Sequence, residues 1–364
     1  MTLLEQEIEP DVEALLNLIR RNTIPKRVHH IELFLDEEIK QQVCKHFELD
    51  KGIDADENFA ELKRDIRLHS FLGYDVFRVT MAADVFSTRM VTASDTTSIE
   101  GQKRKNRQWN EEHTGPIQSW QDFEKYRWPN TADIDLGPLE WLENNLPANM
   151  GCYDLTAHIL EMATMLLGYE TLCMKLYDQP ELVDAIFEKV GRFYVEYTRL
   201  LCEFSCVKLI WGSDDMGFRS STLVSPQVLR EKVLPWHRRC AHAAHENRRP
   251  YLLHCCGQIK EIMDDLIDDV GIDARHSYED AITPVTEAKK QYGQRIAILG
   301  GIDIDFLCRS DERTIRRRVR ETLEACTIDG GYCLGTGNTV ANYVPLRNYL
   351  VMLDEGRNFA LSGL

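Results

Sequence analysis

The stretch "RPYLLHCCGQIKEIMDDLI", residues 249–267, sets an apolar run against a histidine, two cysteines and a glycine, and then passes into a helical pattern. If the run is a β-strand, side chains alternate, so His254 and Cys256 share one side while Cys255 turns away into a wall. Such a pair is either ordinary core or two thirds of a metal site. The remaining strand ends have to decide between the two.

Seven more short apolar runs have the same form: 27–35, 73–81, 148–155, 206–215, 271–277, 294–303 and 330–338. Longer helical patterns lie between them. "DQPELVDAIFEKVGRFYVEYTRLLCEF" places apolar residues at helical spacing behind an Asp-Gln-Pro start. "SPQVLREKVLPWHRRCAHAAHEN" opens with Ser225 as cap and Pro226 at the first position. Eight strands alternating with helices predict a (β/α)8 TIM barrel, preceded by N-terminal helices, with a doubly wound open sheet as the alternative. The whole chain, 1–364, is expected as one domain. Residues 82–147 break the rhythm and are expected as an insertion that forms a lid over the barrel mouth, or a plain surface hairpin.

Composition narrows the function classes. Of 364 residues, 59 are Asp or Glu and 43 are Lys or Arg, a net charge of −16, which argues against nucleic acid or an anionic membrane as partner. The acidic, amphipathic start lacks the features of a signal peptide, and no apolar run is long enough to cross a bilayer. Eleven cysteines scattered through helices and strands read as reduced thiols, which places the chain in the cytoplasm.

In such a barrel the C-terminal strand ends form one functional rim. Asp154, Asp214, Asp215, His254, Cys256, His276, Asp303, Cys333 and Asn338 all fall at or near expected strand ends. His254, Cys256 and Cys333 form the sharpest subset. One imidazole and two thiolates from separate strands suit zinc, and three protein ligands leave a fourth position open. Cysteine is also commonly buried as core, so spacing alone leaves both readings standing. Asp214 and Asp215 are the candidate catalytic pair, although each serves equally well as a helix cap. Asp154, His276 and Asn338 are candidates for the substrate pocket. Glu32 and His30, alternating on the first run, are candidates for a further ligand.

The segments "HCCGQIKEIMDDLIDDVGID", "AKKQYGQRIAILGGIDIDFL" and "GGYCLGTGNTVANYVPLRNYLVMLD" resemble the uroporphyrinogen decarboxylase superfamily, and within it the zinc-dependent cobalamin methyltransferases. "GYETLCMKLYDQPELVDAIFEKV" and "GSDDMG" extend the resemblance, which runs from about residue 148 onward and is loose in the front third. It implies zinc held by His254, Cys256 and Cys333. It also implies methyl transfer between a small molecule (a thiol, ether, alcohol or amine) and a corrinoid. No corrinoid-carrying "DxHxxG" motif is present, so the resemblance implies a separate corrinoid carrier protein as partner, and a homodimer is left open.

The chain departs from the decarboxylase itself. "PKRVHHIELFLDEE" stands where that enzyme carries an arginine-rich "RQAGRY"-type motif, and "GTG", with Thr336, replaces its "GHG". Uroporphyrinogen is therefore not expected as substrate. The alternatives are a metal-free carboxy-lyase that works through the strand-end aspartates, and a non-catalytic small-molecule-binding barrel.

Overall fold

The computed structural model describes residues 3–81, 85–94, 106–111 and 113–361. Its barrel strands are β1 Val76–Arg78, β2 Gly151–Tyr153, β3 Leu155–Thr156, β4 Ile210–Ser213, β5 Tyr251–His254, β6 Ala274–His276, β7 Ala297–Leu299 and β8 Tyr332–Cys333. β2 and β3 are one barrel position interrupted at Asp154. β1 pairs with β2, and β3 through β8 form a continuous parallel ladder. The expected first strand, 27–35, contributes only the single parallel bridges His30–Tyr74, His30–Leu334 and Leu35–Val340, which close the ring. Past His30 this run and β1 part around a cavity of about 250 Å³ lined by Glu32, Phe34 and Arg78. The (β/α)8 barrel is thus present, with one loosely laced seam.

Inward side chains fill the barrel, as alternation along each strand requires. Leu209, Trp211, Leu252, Ala274, Ala297 and Leu299 share one interior cluster with Val12, Leu15, Leu16 and Ile19. These last four lie on an N-terminal helix, α1 (Val12–Ile19), which closes the barrel floor. The Asp11 carboxylate accepts the Ala14 N–H at its start, satisfying one of the donors that a helix start leaves open.

The helical patterns appear where their caps place them. One helix spans Pro180–Cys202, and Ser225 accepts the Val228 N–H at the start of the next pattern. That second pattern is not one uniform helix. A π-helical segment, Leu229–Val233, precedes Leu234–Glu246, because Pro235 has no N–H to continue the ordinary ladder.

The long β1–β2 connection carries an antiparallel pair, Met90–Ser94 with Asn106–Asn110, and the helices Trp120–Lys125 and Gly137–Asn145. Residues 82–84, 95–105 and 112 of the segment expected as a lid lie outside the described residues. Among the described residues, no helix is long and apolar enough to cross a membrane.

Candidate metal centre and cleft

β5 delivers His254 to the barrel mouth, in register with Ser213 on β4 and His276 on β6. Its hydrogen bonds fix its tautomer. His276 Nε2 lies 3.1 Å from the Thr336 carbonyl, which can only accept, so His276 carries its proton there. His276 Nδ1 is then an acceptor, and His254 Nδ1, 2.8 Å away, donates to it. The result is a His254 Nε2 with a free lone pair. Burial holds both rings neutral: it pushes His254 down to about 3, and His276 well below the ordinary imidazole value.

That lone pair faces Cys256 Sγ at 3.3 Å and Asp215 Oδ1 at 3.8 Å. The candidate ligand atoms of Asp215, His254 and Cys256 lie within 4.8 Å of one another. Asp215 also accepts the Cys256 N–H at 2.8 Å, which ties the loop after β4 to the loop after β5. Ser277 Oγ and Asn338 Nδ2 each donate to Cys256 Sγ at 3.4 Å. Burial raises the Cys256 thiol well above its ordinary value, with the nearby Asp215 carboxylate adding to the shift. Cys255 packs in the outer wall as expected, its sulfur accepting the Met216 N–H at 3.3 Å.

Cys333, expected as the third ligand, is not brought there. It is fully buried in the barrel interior, and the groups acting on its thiol after burial are Asp75 and Arg27, which precede β1 at the opposite end of the barrel. Strand tilt is the reason. His254, His276, Leu299 and Cys333 form one register row. Three steps of about 4.8 Å across strands tilted by about 36° displace such a row by roughly 8 Å along the axis. Thr336, three residues beyond Cys333, is the β8-side residue that meets His276, and Asn338 is the one that reaches Cys256.

Three other candidates have local duties. Asp214 is fully buried, and its oxygens accept the Leu160 and Glu161 N–H groups at 2.9 Å each, with His237 Nε2 also at 2.9 Å. It anchors the start of the helix Ile159–Leu167 and does not open into the mouth. Asp154 accepts from the Tyr197 hydroxyl (2.6 Å), the Met81 N–H (2.9 Å) and the Leu155 N–H (2.8 Å), so its lone pairs are committed to holding the loop after β1. His276 lies behind His254 instead of lining the pocket. Glu32 and His30 do not join the cluster either. Glu32 faces Thr336, and His30 packs against Gly356.

Beside the cluster opens a cleft of about 910 Å³. Asp215, Glu161, Met165, Tyr169, Phe218 and Leu223 line it, together with Glu111 and His113 from the β1–β2 connection. Phe218 is 62% exposed, on a loop bridged to Gln258 just past Cys256. Sequence reasoning missed Glu161, His158, Ser277 and Phe218. Only Glu161 carried a usable signal, an acid one turn into a helix that follows a strand end.

Comparison with known proteins agrees with this architecture. A methylated-thiol–coenzyme M methyltransferase from Methanosarcina mazei is 27% identical over 242 residues, which are 65% of this chain and 62% of that protein. This chain therefore matches less than two thirds of its relative's length. A solved methyltransferase structure from Methanosarcina mazei superposes with a TM-score of 0.71 at 15% identity, covering 98% of both chains, a likeness of fold. The profile described as uroporphyrinogen decarboxylase (URO-D) matches residues 116–359. With two thirds of its length matched in this way, the chain belongs to the uroporphyrinogen decarboxylase family.

Proposed function

We propose that the chain is a zinc-dependent methyltransferase that moves a methyl group between a small molecule and a corrinoid supplied by a partner protein. The observation that carries this reading is the convergence of Asp215, His254 and Cys256, with the His254 lone pair aimed into their midst. The name of the Methanosarcina relative supports the reaction class. The donors fit zinc: one neutral imidazole, one thiol and one carboxylate suit a borderline cation and leave room for a fourth ligand. Their candidate ligand atoms already lie within 4.8 Å of one another, as ligands of one cation must.

Zinc bound there would act as a Lewis acid on the substrate's heteroatom. The protein's own residues supply the rest. His276 orients His254, while Ser277 and Asn338 stabilise negative charge on the Cys256 sulfur. The cleft lined by Met165, Tyr169, Phe218 and Leu223 offers apolar surface for the body of the substrate. Glu111 and His113 on the cleft wall support a covering role for the 82–147 segment. Eleven free cysteines support a cytoplasmic setting. The metal-free lyase reading loses one of its two acids, because both Asp214 oxygens are committed inside the fold.

Elemental analysis tests the proposal. About one zinc per chain is expected in the wild type and in Cys333→Ala, with loss in Asp215→Ala, His254→Ala and Cys256→Ala. A wild-type protein that takes up no metal after growth with added zinc would overturn it.

A further inference from the structure

We propose that Glu161 and His158 are the proton-handling pair of the cleft, holding the proton that the substrate's leaving heteroatom takes up as the methyl group departs. The inference rests on the methyl-transfer reading. Glu161 lines the same cavity as Asp215, and its Oε2 lies 3.0 Å from His158 Nδ1. The two side chains are 27% and 25% exposed, partly withdrawn from water yet open to the cleft.

The pair is fixed relative to the candidate metal ligands through two consecutive residues. Asp214 accepts the backbone N–H groups of Leu160 and Glu161, and Asp215 is its chain neighbour. Any shift of the Glu161 turn therefore pulls on the strand end that carries Asp215. An exposed i,i+3 pair on a helix surface would need no such anchoring and would contribute little.

The groups facing the pair are Asp214 and Asp215 at the end of β4, Arg78 at the end of β1, and His254 on β5. Tyr194 completes the surroundings, its ring 5.8 Å from that of His158. Burial works against the His158 cation, but Glu161 outweighs it and raises the imidazole. Burial likewise raises Glu161 against the pull of His158. Both shifts run upward, so each partner holds its proton to higher pH than it would alone in water.

In R–X–CH3 the C–X bond breaks and the methyl group passes to the reduced corrinoid acceptor. The bonding electron pair stays on X, which takes the proton from Glu161, and His158 then faces a carboxylate. The pair goes from neutral to singly negative and recovers a proton from solvent.

Run in reverse, a thiol binding to the zinc-loaded protein gives its proton to an emptied pair. The experiment uses 2-mercaptoethanol as probe, with titration calorimetry in buffers of differing ionisation heat between pH 6 and 9, on protein whose zinc content has been measured. In the wild type the protons released per thiol bound fall from about one towards zero as rising pH empties the pair. Glu161→Gln and His158→Gln release about one proton throughout that range. A Glu161→Gln profile that matches the wild type overturns the pair while leaving the metal centre standing. Absence of zinc, or zinc-loaded protein that binds no thiol, overturns the methyl-transfer reading and this inference with it.

Discussion

His254 and His276 share a hydrogen bond of 2.8 Å between their two Nδ1 atoms, and the Thr336 carbonyl behind His276 fixes its direction. A buried histidine here works as a template for another histidine. Removing it frees the His254 ring to turn or to change tautomer. His276→Ala should therefore bind zinc about 10- to 100-fold more weakly, the usual cost of losing an orienting partner behind a ligand. Competition with a chromophoric chelator reads the change directly, and an unaltered affinity would show that the relay does not set the ligand.

Cys333 gives the opposite expectation. It belongs to the barrel's interior cluster with Leu299, Ala297 and Ile31. Cys333→Ser places a hydroxyl there, at a cost of about 1–3 kcal/mol where no acceptor is at hand. Urea unfolding should show that loss, while metal content stays at the wild-type level.

The loops after β4 and β5 touch through glycine. A Cβ on Gly217 would lie 2.5 Å from the Cys256 carbonyl oxygen and 2.7 Å from the Gly257 carbonyl carbon. Backbone cannot yield there as a flexible side chain can. Gly217→Ala should push the Phe218 loop off the Cys256 loop and cost about 1–3 kcal/mol in thermal or urea unfolding. Zinc affinity should fall in the same variant, since Asp215 and Cys256 belong to the two loops being parted.

Glu32 makes stability depend on pH. Burial pushes its carboxyl up to about 8, against hydrogen bonds from Thr336 that pull it down. The folded chain thus keeps a proton that the unfolded chain releases near 4.5. This contribution is fully present below pH 4.5 and is lost as pH rises towards 8, at up to about 1.4 kcal/mol per unit. Glu32→Gln should flatten that slope and leave the variant less sensitive to pH between 5 and 8 in denaturant titrations.

The barrel was legible because each strand repeats a short apolar run with a polar end, and because Ser225 and Pro226 announce their helix. The first run misled in degree: 27–35 looks like a strand, yet β1 diverges from it beyond a single bridge at His30. At the site, the HxC spacing correctly puts His254 and Cys256 together, because two residues within one strand end share a side whatever the fold does elsewhere. Placing Cys333 required the height of β8 relative to β5, which depends on tilt around the whole barrel and is written in no local pattern. Asp214 and Asp215 are adjacent in sequence and alike in chemistry. Only the packing of the Ile159–Leu167 helix shows that one is buried beneath it and the other faces the cleft.

Asn338 stands 3.4 Å from the Cys256 sulfur and sets an amide, not a second thiol, beside it. Its amide is held by the Thr339 N–H at 2.8 Å, so the NH2 group is turned towards that sulfur. A centre with a single thiolate has little claim on cadmium, mercury or cuprous ions, which prize sulfur above all else. In the proposed centre the asparagine would thereby act as a safeguard against poisoning. It would admit borderline metals and deny the softest ones a second sulfur.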